Sequence, residues 1–395
     1  MTQTAEEKLW NSEYLKVWFA NFTIFFSFML VTPLLPLYLS ETFAADKHTI
    51  GLVLSGYTLT ALIIRPFSGF IVDAFDRKKV LLFCMLFFAL FFAGYLFAGS
   101  LMLFAIVRTL HGAPFGAATV ANSTVAIDVL APSRRSEGIG FYGLSNNLAT
   151  AISPSVAMWI YDLTHNYVLI FSLSLLCASV GFAINSTLKL KPREQIKNAS
   201  KISLDRFFLL QAWREAVSMI CFAFSYGVLS TYIAIYGKER LNITGGTGVF
   251  FLLLSLGLIL SRLAGNKTLK KGMIVRNASF GIVLSLIGYC LFSSVHNFFG
   301  YYGAALIIGL GNGHMFPAFQ TMFINLAPHT RRGTATSSLL ISWDVGVGLG
   351  IMIGGMLVGQ FGYYSAFWAS SLVNLIGVIF FFAVVKSNYQ KHKLR

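Results

Sequence analysis

Four ionisable side chains sit inside long apolar stretches of this 395-residue chain: Arg65, Arg108, Arg262 and Asp344. A charge in hydrocarbon costs about 3 kcal/mol or more unless it faces a water-filled cavity or a partner, so each is a functional candidate by default. Asp344 is the only acid well inside such a stretch. At 1.5 Å per residue it lies roughly 18 Å from Arg332, near the middle of a bilayer. Protonation removes its charge and lets the surrounding segment move without dragging an ion through apolar contacts. Asp344 is therefore the leading proton site, and its competing role is a structural ion pair with Arg65, Arg108 or Arg262. Arg108 is a fixed cation whose approach to a titrating acid favours proton release, and its other possible role is to hold an anionic group on a substrate. His111, one turn along, carries an imidazole that titrates near neutral pH unless the core satisfies it. Arg65 and Arg262 either snorkel to the membrane surface or ring the inner mouth of a cavity. A second set is Asp73 and Arg77, four residues apart on one side of a helix end, with Asp128 able to complete an acid–base–acid cluster.

The elements that must position these groups are legible from composition. Hydrophobic residues make up 56% of the chain and charged ones 11%, with a mean hydropathy of +0.70. Soluble chains carry about twice that charged share, and too little polar surface remains here to cover a water-soluble globule. Runs without Asp, Glu, Lys or Arg, each near the roughly 20 residues that cross a bilayer as a helix, recur along the sequence. They predict twelve spans near 14–40, 48–72, 79–99, 101–128, 136–161, 166–188, 212–238, 244–267, 272–295, 298–325, 333–360 and 364–386. The long clean runs are divided at Gly99-Ser100, His296-Asn297 and Phe361-Gly362. A β-barrel would instead alternate polar and apolar residues over short segments.

The fold class expected is an all-α membrane protein. An even number of spans puts both termini on one side, and the basic groups fall mostly there, including Arg77-Lys78-Lys79, Arg134-Arg135, Lys270-Lys271 and Arg331-Arg332. The positive-inside rule then places both termini in the cytoplasm and the protein in the inner or plasma membrane. The net charge of +15 is spread over short loops, so no nucleic-acid partner is expected. The polar start, Met1 to Glu13, reads as no cleavable signal peptide. The four cysteines have no metal or CxxC spacing and are expected in helix packing.

The chain is also written twice. Leu130-Ala131-Pro132-Ser133-Arg134-Arg135 recurs as Leu326-Ala327-Pro328-His329-Thr330-Arg331-Arg332, and Gly112-x-x-x-Gly116 recurs as Gly309-x-x-x-Gly313. Arg65 pairs with Arg262 and Asn147 with Asp344 at half a chain length. Two pseudo-symmetric six-helix bundles in one orientation follow, over residues 1–188 and 211–395, joined by a cytoplasmic linker at 189–210.

Between the second and third spans stands Gly69-Phe-Ile-Val-Asp73-Ala-Phe-Asp76-Arg77-Lys78-Lys79. This resembles the loop signature G-x-x-x-D-x-x-G-R-[KR]-x of the major facilitator superfamily, in particular its twelve-helix drug:proton antiporters and sugar-efflux proteins. The sequence departs from it at Asp76, where glycine is usual. Arg108-Thr109-Leu110-His111-Gly112 is similar to the family pattern R-x-x-[QH]-G, whose arginine is associated with proton transfer. The resemblance implies that Asp73 and Arg77, with Asp128, latch the two bundles in the outward-facing state. Many relatives place an acid in the first span, and Phe28 to Pro36 holds none. The antiporter signature G-P-x-x-G-G is split, with Pro154 in the fifth span and Gly350, Gly354 and Gly355 in the eleventh. Ordinary helix packing also accounts for those glycines.

The helices that line the cavity in such a fold supply Tyr57, Arg65, Asn122, Tyr142, Asn146, Asn147, Tyr226, Tyr232, Arg262, Asn312, His314, Gln320 and Trp343 as substrate candidates. No ATP-binding loop, cofactor motif or catalytic domain is expected. The expected function is export of a small organic molecule by proton antiport with rocker-switch alternating access, performed by a monomer. Uptake or facilitated flux of an anionic metabolite on Arg65, Arg108 and Arg262 is the alternative, and a non-transporting receptor or sensor a distant one.

Overall fold

The computed structural model describes residues 9–131, 135–190, 208–243, 247–270, 273–327 and 332–394. The linker over 191–207 and the side chains of Asp73, Asn147 and Arg262 lie outside the described residues. Among the described residues the chain forms twelve long helical segments and no strand. We number them α1 (Ser12–Phe43), α2 (Lys47–Ala74), α3 (Arg77–Phe97), α4 (Leu101–Asp128), α5 (Arg135–Thr164), α6 (Tyr167–Ser186), α7 (Trp213–Leu241), α8 (Thr247–Lys270), α9 (Ile274–Ser294), α10 (Phe298–Leu326), α11 (Arg332–Phe361) and α12 (Tyr363–His392). Nine segments among the described residues are long and apolar enough to cross a membrane. The remaining three, α5, α8 and α10, have 30, 24 and 29 residues.

The breaks fall where polar residues offer caps. Ser100 and Asn297 accept from the N–H groups of Leu103 and Gly300 and open α4 and α10. Gly362 takes φ +83 between α11 and α12, a conformation that side chains rarely adopt. One break was not expected. Thr32 to Leu34 interrupt α1, because Pro33 and Pro36 lack the N–H groups that would bond back to residues 29 and 32, and Pro36 falls in the first turn of the resumed helix. At the other end, α12 runs past its expected end at 386 to His392, through a π-helical stretch at Phe381–Val385.

Packing repeats as the sequence does. Within the first six helices α2 packs on α4, α3 on α4 and α6, and α1 on α5 and α6. Each contact recurs six helices later: α8 on α10, α9 on α10 and α12, and α7 on α11 and α12. The repeated glycines explain the first of these. A Cβ on Gly112 would stand 1.9 Å from the Tyr57 carbonyl oxygen in α2, and one on Gly309 would stand 2.0 Å from that of Leu254 in α8. Only hydrogen fits at those crossings. Between the two sets the principal contacts are α2 with α11 and α5 with α8.

The ends of the helices sort onto two sides. Asn11, Val129, Glu13, Lys189 and Thr187 meet on one, and Asn325, Tyr389 and Leu394 meet at the corresponding end of the second set. This is the terminal side. The opposite side carries the turns at 44–46, 98–100, 165–166, 295–297 and 362.

Candidate functional site

At mid-helix, where α2 crosses α11, Arg65 Nε stands 2.9 Å from Asp344 Oδ2. Both side chains are largely enclosed, at 6% and 16% exposure. The N–H is not aimed at the oxygen, so the contact is an ion pair without a hydrogen bond. Of the three arginines proposed as partners for Asp344, Arg65 takes the place. The pair bridges the first and second sets of helices.

Arg108 is elsewhere. Because Gly112 brings α4 against Tyr57, the guanidinium one turn earlier lies 4.0 Å above the Tyr57 ring and 5.6 Å from that of Phe28. Its Nη1 donates to Tyr95 Oη at 3.1 Å, and that hydroxyl meets His111 Nδ1 at 2.7 Å. His111 Nε2 is buried without a partner, and Phe88, Phe91 and Phe92 pack around the ring. His111 is thus enclosed by aromatic rings beside Arg108. Tyr95, which sequence reasoning missed, is the bridge; a lone tyrosine in an apolar run gave no signal. Tyr57 carries Arg108 on its ring and shares α2 with Arg65, about two turns away.

The polar candidates separate into those near this centre and those that tie helices together. Tyr226 packs on Trp343 with centroids 5.4 Å apart, and Phe316 meets the other side of Trp343 at 5.4 Å. These three are half-buried, and Trp343 directly precedes Asp344 in the chain. Asn122 and Tyr142 instead bond each other and reach Val17, Asn21 and Asn185 within the first set. Asn146 accepts from Thr150 one turn on. Tyr232 donates to the Ile351 carbonyl. Asn312 and His314 bond Ser285 and Asn277 on α9, and Gln320 is half-buried on α10.

At the terminal side Arg77 pairs with Asp128. Asp76 caps α3 by accepting the Lys79 N–H at 2.9 Å. Its φ of −62° needs no glycine, which accounts physically for the departure from the family pattern. Glu215, in the first turn of α7, is fully buried with neither carboxylate oxygen bonded. It was missed because it sits at the edge of its span.

On the far side the two sets exchange charges. Lys47 of the first set reaches Glu239 of the second at 2.5 Å, and Lys238 reaches back to Glu41. Tyr161 and Tyr167 hold Glu41, and Tyr363 holds Glu239 at 2.8 Å. Each acid is fixed by tyrosines of its own set, and each lysine crosses. Beneath them the backbones nearly touch: a Cβ on Gly51 would stand 2.9 Å from the Ile351 carbonyl oxygen and 3.2 Å from the Gly355 Cα.

Comparison with known proteins identifies the family. The model of the Major Facilitator Superfamily matches residues 17–322 and 275–394. The chain belongs to the Major Facilitator Superfamily. It is 24% identical over 331 residues to the staphylopine export protein of Staphylococcus aureus (strain Mu50 / ATCC 700699), covering 80% of this chain and 81% of that one. To the multi-drug resistance efflux pump PmrA of Streptococcus pneumoniae it is 23% identical over 391 residues, covering 94% and 95%. The crystal structure of the human organic anion transporter MFSD10 superposes with a TM-score of 0.74 at 16% identity, covering 93% and 98%. The superfamily assignment makes this multi-pass membrane protein a transporter rather than an enzyme.

Proposed function

We propose that this superfamily member exports a small organic molecule from the cytoplasm in exchange for protons, through rocker-switch alternating access. The carrying observation is the enclosed Arg65–Asp344 pair, which joins the two sets of helices. An ionised Asp344 binds Arg65 across the interface, and a protonated one releases it. Protonation thus loosens the contact between the moving bodies, and substrate and proton compete for the same state. The relatives named for export support the direction.

Alternating access needs two closures. The far-side contacts of Lys47, Glu239, Lys238 and Glu41 supply one of them, and a carrier closed there presents its site to the other side. Asp73, Arg77 and Asp128 supply the opposing latch in this reading. The boundary between the rocking bodies is the 189–210 segment, both termini are cytoplasmic, and the unit is a monomer in the cell membrane.

The test is counterflow and pH-gradient-driven transport in proteoliposomes, over a panel of quinolones, cationic dyes, amino acids and sugars. Asp344→Asn is expected to abolish gradient-driven accumulation while leaving counterflow. Undiminished dependence on the pH gradient would remove Asp344 from the role.

A further inference from the structure

Donors outnumber acceptors around the centre. Arg65 Nε and Asp344 Oδ2 face each other, and the buried groups left without a hydrogen-bond partner beside them are Arg65 Nη1, Arg108 Nε and the Tyr57 hydroxyl. Arg108 is 4% exposed and Tyr57 is 4% exposed. The charges are equally lopsided. Arg65 is paired with the Asp344 carboxylate, and among the described residues the ion pairs leave Arg108 without an acid. Aromatic faces compensate a desolvated cation only in part, so Arg108 is poised for an anion that the described residues do not supply.

That anion has consequences for coupling. The charged and titratable groups facing Asp344 are Arg65 and Tyr57 on α2, with Arg108 beyond Tyr57 on α4. A negative ligand beside Tyr57 repels an ionised Asp344, so an anion alone would travel together with the proton. Exchange against the proton requires the ligand to bring its own positive charge to Asp344. We infer that the substrate is a zwitterion, its acidic group lodged between Arg108 and the Tyr57 hydroxyl and its basic group replacing the proton at Asp344. This rests on the proton-exchange reading.

The experiment compares equilibrium binding of tryptophan, tryptamine and indole-3-propionate to the purified full-length protein. The three share an indole and differ in carrying both charges, the positive or the negative one. Tryptophan is expected to bind at least about tenfold tighter than either relative, the scale of one charge-assisted contact. Arg108→Gln should lower tryptophan to the affinity of tryptamine and leave tryptamine unchanged, and Asp344→Asn should lower it to that of indole-3-propionate. Should Arg108→Gln fail to fold, Tyr57→Phe removes only the hydroxyl and should reduce tryptophan binding a few-fold, with tryptamine unaffected. No preference for tryptophan, or one that survives both substitutions, overturns the acidic subsite and leaves the exchange reading standing. Tightest binding of indole-3-propionate, strengthened at acid pH and lost in Arg108→Gln, overturns the zwitterion and the exchange reading while leaving Arg108 as an anion site.

Discussion

Single residues here do work that their types announce and work that they do not. Asp344 announced itself, because an acid flanked by apolar residues is costly to place in a bilayer. Its choice of Arg65 over Arg108 did not follow from the sequence, since all three arginines were within the same uncertainty of helix rotation. Asp76 is the reverse case: a departure from a pattern becomes an ordinary helix cap once the chain is folded. Its loss has a defined cost. Asp76→Ala should lower stability by about 1 kcal/mol, while Asp76→Gly should cost only a few tenths, since glycine is tolerated at a cap. Thermal unfolding of the purified variants measures the difference, and equal shifts would remove the cap from the explanation.

At the scale of helices, the repeated glycines decide how closely the bundles pack. Gly112 and Gly309 occupy equivalent crossings and both abut a backbone carbonyl oxygen, which cannot swing away as a side chain can. Gly309→Ala should therefore destabilise the protein by about 1–3 kcal/mol. Gly112→Ala should do the same and also displace Arg108 from the Tyr57 face, reducing transport beyond the loss of stability. Comparing folded yield with transport per folded molecule separates the two effects. The helix boundaries were readable because caps and glycines are local signals. The interruption of α1 is set by Pro33 and Pro36, and no charged residue marks it within the apolar run.

For the whole molecule, the far-side exchange of charges joins the two sets of helices on that side. Each ion pair is partly exposed, so each contributes no more than about 1 kcal/mol, roughly a fivefold change in population. Reversing one partner, as in Lys238→Glu, converts attraction to repulsion against Glu41 and should open that side. Spin labels at Gly99→Cys and Phe299→Cys, with the native cysteines replaced, should report a longer distance in Lys238→Glu. The double variant Glu41→Lys with Lys238→Glu should restore the original distance. An unchanged distribution in the single variant would show that helix packing alone holds the closure.

The sequence alone determined the twelve spans, their division into two equivalent halves and the small set of charges within them. It could do so because hydropathy, cap residues and repeats are properties of neighbours along the chain. Only the tertiary structure decided that Arg65 meets Asp344, that Tyr95 joins Arg108 to His111, and that Lys238 and Glu239 reach opposite charges in the other half. Those facts depend on the rotation and depth of each helix. Nothing in a uniformly apolar segment fixes these until another helix packs against it.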